Sequence, residues 1–238
     1  MLADKILNGS ELPEKTLCFT FDDGPGKSSS KNFGPHTLEV ARYLKEEEIV
    51  ATFFMVGKFV KSYPEVVREV KKLGHIIGSH TYSHPDMNKE FNKGKNLVSE
   101  FTKTEKLLKK FIDEDTIYFR PPFGRWNILL SEQINNGLDS NFKYLGPIGW
   151  NIDGSDWYYW SSRDKDRTTK CAENYLRLIK SEGKGIILMH DSSANRNFFW
   201  AFIRQRYNQS LELLKIIIPV LKRDGYSFIS LKDIQFEY

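Results

Sequence analysis

Cysteine is scarce in this chain: of 238 residues only Cys18 and Cys171 are cysteines. Two are too few for a disulfide framework and their spacing matches no zinc cluster, so both read as isolated thiols, with Cys18 inside a buried strand. Long hydrophobic runs are also missing. The best, Ile216 to Leu221, is interrupted by Pro219 and falls far short of the roughly 20 apolar residues that span a bilayer. Met1 to Lys15 lacks the apolar core and small-residue cleavage site of a secretory signal; this points weakly to the cytoplasm, or to a secreted or periplasmic protein whose signal was removed. Neither sign of charge dominates. Lys+Arg 35 against Asp+Glu 31 leaves a net charge of +4, too small to hold a polyanion in physiological salt, so nucleic acid is not an expected partner. There is no Pro/Gly/Ser-rich linker, low-complexity tract or repeat, and a single domain over residues 1–238 is expected.

What the chain has is apolar and aromatic residues, 40% and 14%, enough for a sizeable core. Short β-branched or aromatic runs predict strands near Leu17 to Asp22, Val50 to Val56, His75 to Ser79, Thr116 to Arg120, Tyr144 to Ile152, Gly185 to His190 and Ser227 to Leu231. Helical periodicity lies between them, near Pro35 to Glu48, Pro64 to Leu73, Gly94 to Ile112, Trp126 to Asn135, Lys170 to Ser181 and Ser210 to Lys222. Gly74, Gly137, Gly183 and Gly225 stand at expected helix ends, and Pro35 and Pro64 at helix starts. Alternating β and α segments predict a parallel sheet covered by helices, either open or closed into a barrel; about seven strands suit a somewhat small or distorted barrel. The Lys-rich stretch Lys103 to Lys110 reads as a solvated helix face with Leu107, Leu108 and Phe111 turned inward. Gly26 to Phe33 and Ser192 to Asn208, the latter carrying Phe198, Phe199 and Trp200, read as loop insertions.

Polar residues cluster at predicted strand ends, where the loops of a parallel α/β fold open onto one face. Asp22 and Asp23 follow the first strand, His80 and His84 the third, Arg120 the fourth, Asp153 and Asp156 the fifth, His190 and Asp191 the sixth. Each has a plain alternative. Asp22-Asp23-Gly24-Pro25 reads equally as a turn, although adjacent carboxylates repel unless a cation takes one and a guanidinium the other. Two imidazoles four apart are more often a helix surface, but Pro85 argues for a tight turn at His80 to His84. With Asp23 they form a two-imidazole, one-carboxylate set that leaves metal positions open for water and substrate. Arg120 suits a structural salt bridge as well as the orientation of a catalytic carboxylate. His190 is either a core histidine paired with Asp191 or a catalytic group. Trp150, Trp157, Tyr158, Tyr159 and Trp160 suggest a platform for flat sugar faces. His36 and His75 are taken as structural.

Five segments resemble, in order and spacing, the motifs of the polysaccharide deacetylases, carbohydrate esterase family 4, whose common unit is the NodB homology domain. They are Thr20-Phe21-Asp22-Asp23-Gly24-Pro25, His80-Thr81-Tyr82-Ser83-His84-Pro85, Arg120-Pro121-Pro122-Phe123-Gly124, Asp153-Gly154-Ser155-Asp156-Trp157 and Leu188-Met189-His190. Ala51 to Phe54 and Gly225 to Phe228 also look like framework of that family, and the likeness covers roughly residues 17–234.

The resemblance implies a distorted (β/α) barrel that removes acetyl groups from an acetylated polysaccharide or oligosaccharide. It implies Asp23, His80 and His84 as ligands of a divalent metal, zinc or alternatively cobalt, and Asp22 as general base. Arg120 is similar to the arginine that orients the base, Asp156 to the aspartate that tethers the catalytic histidine, and His190 to that histidine, the general acid. Phe123 takes the place of a residue whose backbone amide helps form the oxyanion hole. Trp157 and Leu188 would line the acetyl pocket, with Asp153 beside them in substrate binding. The motif positions are intact, which implies activity; the two insertions are expected to border the groove and to bear on substrate choice. Two other readings remain at this stage: a metal-dependent amidohydrolase acting on a small cyclic amide or imide, and a catalytically silent carbohydrate-binding protein.

Overall fold

Nine consecutive residues, Thr16–Gly24, form the longest strand, β1, and every one but Asp23 is buried. A computed structural model describes residues 1–26, 36–113, 115–194, 203 and 206–236. Strand β1 pairs with β2 (Thr52–Met55) on one side and β7 (Gly185–His190) on the other; β3 (Ile76–Ser79) extends the sheet beyond β2, and β6 (Ile152–Asp153) beyond β7. A short β8 (Ser227–Phe228) pairs with the start of β1. Strands β4 (Thr116–Tyr118) and β5 (Lys143–Leu145) form a second pair, joined to β3 by a bridge between Ser79 and Phe119. All these pairings are parallel, as the alternating sequence predicts.

The strands therefore run round an incomplete ring in chain order. Between β5 and β6 there is no strand pairing among the described residues, and the N-terminal segment lies there instead. Leu7 N–H donates to Pro147 O at 2.8 Å, and Gly149 N–H donates to Leu7 O at 2.7 Å. This is the distorted (β/α) barrel that the resemblance implies.

Period-two alternation sorts the strand side chains. Leu17, Phe19 and Phe21 of β1, with Phe53, Met55, Ile187 and Met189, face the surrounding helices and form the large outer core. Those helices include α1 (Thr37–Glu46), α3 (Pro64–Lys72), α8 (Arg167–Glu182) and α9 (Ser210–Arg223). The intervening residues face the barrel interior, where Cys18, Phe54, Ile76, Tyr118 and Ile186 form a second, smaller cluster. Register then stacks layers along the axis: Cys18 lies opposite Ile186, Thr20 opposite Leu188, and Asp22 opposite His190. The interior thus passes from apolar to polar toward the C-terminal ends of the strands.

Helices α2 (Gly57–Ser62), α4 (Met87–Asn92), α5 (Val98–Leu108), α6 (Ile128–Gly137) and α7 (Asp156–Tyr159) complete the set. None of the described helices is long and apolar enough to cross a membrane.

Several boundaries differ from expectation. The single strand expected over Tyr144 to Ile152 is two, β5 and β6, because Gly146, at φ 153°, and Pro147 bend the chain where Ile148 must turn inward. The helix expected from Gly94 begins at Val98, and α2, α4 and α7 are too short to show periodicity. Gly183 caps α8 in the left-handed conformation, at φ 74°, whereas Gly137 is the last residue of α6. Leu108 and Phe111 are buried and Leu107 packs against the core, so the Lys-rich face is outward. Both cysteines are buried thiols, and burial pushes the Cys18 pKa up to about 12. Pro35, most of the insertion Gly26 to Phe33, and Phe198, Phe199 and Trp200 lie outside the described residues.

Phe53 is fully buried and stacks on Phe21 with ring centroids 5.1 Å apart. Phe53→Ala is expected to lower unfolding free energy by about 3–5 kcal/mol, read as a shift of the urea midpoint at unchanged m-value.

Candidate active site

A regular strand sends adjacent side chains to opposite faces, and Asp22 and Asp23 do not obey that rule. The pairing of β1 with β2 slips between Asp22 and Gly24, and Asp23 sits at φ 74° in the left-handed region. Both carboxylates consequently line one cavity, which also takes in His80, His84 and His190.

The histidine pair sits on a turn that the start of α2 holds. Gly57 N–H and Lys58 N–H, which have no partner within their own helix, donate to Thr81 O and Tyr82 O, each at 2.9 Å. A Cβ on Gly57 would lie 2.9 Å from the Tyr82 ring and 3.1 Å from its Cα, so this approach requires glycine. Glu100 of α5 accepts from Ser83 N–H at 2.7 Å and from the Ser83 hydroxyl at 2.9 Å. The turn off a strand end expected from Pro85 is what forms.

Arg120 is fully buried under the cavity. Its Nη1 donates to Asp22 Oδ1 and to Thr20 Oγ1, both at 2.8 Å; Nη2 donates to Gly149 O at 2.8 Å and Nε to Ile148 O at 3.1 Å. The guanidinium also lies 4.3 Å from the Phe54 ring centroid and 5.5 Å from that of Trp150. The structural salt bridge expected of Arg120 is made to Asp22 and fixes one oxygen of that carboxylate.

Asp156, also fully buried, holds His190 twice, accepting from its backbone N–H and from its Nδ1–H, both at 2.7 Å. His190 is thus paired with Asp156 and not with its neighbour Asp191. Burial lowers the His190 pKa, but the charge and hydrogen bond of Asp156, with Asp23 and Asp22 nearby, outweigh it and raise it to about 10. For His80 burial dominates and the pKa falls to about 4. Burial works to raise the Asp23 pKa, yet the His84, His190 and His80 imidazoles hold the carboxyl well below the ordinary range. Asp191 is pushed up to about 7 by burial, with the Thr37 hydroxyl acting in the opposite direction.

The residues also pass a test for a divalent cation. One ligand atom from each of Asp23, His80 and His84 falls within 4.8 Å of the other two. His80 Nδ1–H donates to Arg120 O at 2.8 Å, which leaves its Nε2 lone pair for a metal. Two imidazoles and a carboxylate suit zinc and similar ions, and three protein ligands leave positions open. The donor set fits.

Phe123, Asp153, Trp157 and Leu188 complete the expected lining of a cavity of ≈ 340 Å³. Phe123 is 59% exposed, at φ 61°, with its ring edge-on to His84 at 4.8 Å. Of the expected aromatic platform, Trp150, Trp157 and Trp160 line the cavity, and Tyr158 and Tyr159 do not. Trp157 and Tyr158 are exposed, but Trp160 is buried and Tyr159 packs against the core, since α7 turns its residues to different sides. His75 is structural, as expected: Ala51 N–H donates to its Nδ1 at 3.2 Å and its Nε2–H to Ala41 O at 2.7 Å.

Sequence reasoning gave no role to Thr20, whose hydroxyl accepts from Arg120 and donates to Ile187 O at 2.6 Å, nor to Ser192 and Ser193, which line the cavity. The signal for Thr20 is period two: it shares the inward face of β1 with Asp22. Nothing local marks the serines.

The family model described as polysaccharide deacetylase matches residues 9–138. The chain is 29% identical over 217 residues to a chitooligosaccharide deacetylase of Azorhizobium caulinodans, covering 90% of this chain and 91% of that one. It is 30% identical over 226 residues to a peptidoglycan-N-acetylglucosamine deacetylase of Bacillus cereus, covering 95% of this chain and 72% of that protein. The crystal structure of a polysaccharide deacetylase from Bacillus cereus superposes with a TM-score of 0.68 at 27% identity, over 92% of this chain and 94% of that chain. The chain belongs to the polysaccharide deacetylase family.

Proposed function

We propose that this chain hydrolyses acetyl groups from an N-acetylglucosamine-containing oligosaccharide or polysaccharide (a chitin oligosaccharide, peptidoglycan or poly-N-acetylglucosamine), with zinc at Asp23, His80 and His84. The observation that carries the reading is a single cavity lined by that ligand set together with Asp22 and His190. The relatives' names, chitooligosaccharide deacetylase and peptidoglycan-N-acetylglucosamine deacetylase, support the sugar class.

An amide resists hydrolysis because its carbonyl is a weak electrophile and water a weak nucleophile. The ion, when bound, supplies Lewis acidity that polarises the carbonyl and acidifies the attacking water. Asp22 has one oxygen committed to Arg120, so Oδ2 is its proton-accepting atom, and it lies 3.7 Å from His80 Nε2 at the edge of the ligand set. There it takes the proton as water attacks. Phe123, which lines the cavity, supplies its backbone N–H to the oxyanion that develops. His190, its Nδ1–H held by Asp156, delivers a proton from Nε2 to the departing amine. Trp157 and Leu188 form an apolar wall for the acetyl methyl, and Asp153 contacts the sugar.

Chelation of the metal is expected to abolish acetate release from acetylated glucosamine oligomers, and added zinc to restore it; full activity without metal overturns the metal assignment. Asp22→Asn keeps the Arg120 hydrogen bond but not the basic oxygen, and is expected to lower kcat by about 10²–10⁴-fold while retaining zinc; wild-type turnover in that variant rules Asp22 out as the base. Because the raised pKa keeps His190 protonated through neutral pH, the rate is expected to fall on the alkaline side. Asp156→Asn, which removes the charge that favours imidazolium, is expected to move that limb of the kcat–pH profile to lower pH.

A further inference from the structure

Beside the cavity lies a buried contact that the chemistry above does not use. Asp191, directly after His190, is fully buried. Its Oδ2 accepts a hydrogen bond from the Thr37 hydroxyl at the start of α1, and that hydroxyl oxygen accepts from Gly26 N–H at 2.7 Å. The Asp191 carbonyl accepts from His36 N–H at 3.2 Å. Gly24 presses on the same carboxylate: a Cβ there would lie 2.8 Å from Oδ2 and 3.1 Å from Oδ1. Oδ1 itself has no hydrogen-bond partner among the described residues.

Burying a carboxylate with so few partners is costly, and what this one makes is a connection. Gly24, Pro25 and Gly26 continue directly from Asp22 and Asp23, and proline stiffens the middle of that short segment. The Thr37 hydroxyl therefore ties Gly26 to the start of α1 and both to the end of β7. The other side of the strand end is held as well, by Asn208 Nδ2 and Ser210 Oγ donating to His190 O at 2.8 and 2.7 Å. His190 and Asp191 thus form a junction to which the Asp22–Asp23 turn, already paired with β7 up to Asp22 and His190, is fastened on its far side through one side-chain hydroxyl.

We propose that Thr37 and Asp191 are positioning residues: their hydrogen bond fixes the Asp22–Asp23 turn against the end of β7 and so sets the place of the metal ligand Asp23 and the base Asp22 relative to His190. The inference rests on the roles proposed above for those three residues.

The test compares wild type with Thr37→Val, which keeps the shape but removes the hydroxyl, Thr37→Ala, which removes it without branching, and Thr37→Ser, which retains it. Zinc affinity is measured by competition with a chromogenic chelator, folding by thermal melting, and kcat and KM by acetate release from acetylated glucosamine oligomers. The Val and Ala variants are expected to bind zinc about tenfold more weakly and to lose about tenfold in kcat, the size typical of lost outer-shell support. KM is expected to stay within about twofold, since substrate contacts remain, and Ser to restore zinc affinity and kcat. Loss of melting temperature alone in Val and Ala, with zinc affinity and kcat at wild-type values, overturns the proposal, as does failure of Ser to restore them. If the wild-type chain released no acetate, the deacetylase reading would fall, and zinc affinity across the same variants would decide this proposal by the same criterion.

Discussion

The guanidinium of Arg120 is a full charge placed inside a barrel, with no exposure to solvent, and the geometry around it has to compensate for lost hydration. It does so with four acceptors on two parts of the chain, β1 and the segment before β6, and with the aromatic faces of Phe54 and Trp150. The same residue acts twice on the site. Its side chain fixes one oxygen of Asp22, and its main-chain carbonyl accepts from His80 Nδ1–H and so sets that ring's tautomer. The Asp22 carboxylate and the His80 ring are aligned by one residue, which couples the interior packing of the barrel to the cavity above it.

The loops around this centre hold backbone conformations that side chains other than glycine rarely adopt. Asp23, Thr81, His84, Phe123 and Ser155 all have φ between 55° and 74°, at a cost of order ~1–3 kcal/mol each. Such geometry persists where neighbours over-determine it, as α2 and Glu100 do for the histidine turn. In return, Asp22 and Asp23 reach the same cavity, which ordinary strand geometry forbids.

Residues of one type are also driven to opposite ends of their range. His80 is drawn down to about 4 and His190 raised to about 10. The difference is a partner: Asp156 hydrogen-bonds His190 through its carboxylate, whereas His80 donates to a neutral carbonyl. Separating two like groups in this way favours the neutral form of one imidazole and the protonated form of the other.

Much of this was legible in the sequence. Alternating strands and amphipathic helices specify a parallel sheet covered by helices because each period must bury its apolar face, and the family resemblance implies its closure into a distorted barrel. The order of that fold alone gathers Asp22, Asp23, His80, His84, Arg120, Asp153, Asp156 and His190 at one edge. The five motif segments named the same residues. Periodicity did not show the break at Gly146 and Pro147, the three short helices, or the inward turn of Trp160, because each depends on neighbours distant in sequence. Nor did it show that Asp22 and Asp23 share a face or that Thr37 reaches Asp191. The sequence by itself determined which groups stand at strand ends, since strand and helix periods are local properties. Only the tertiary structure decided which atoms meet, because hydrogen-bond partners 98 residues apart, as in Arg120 and Asp22, or 154 apart, as in Thr37 and Asp191, are set by packing across the barrel.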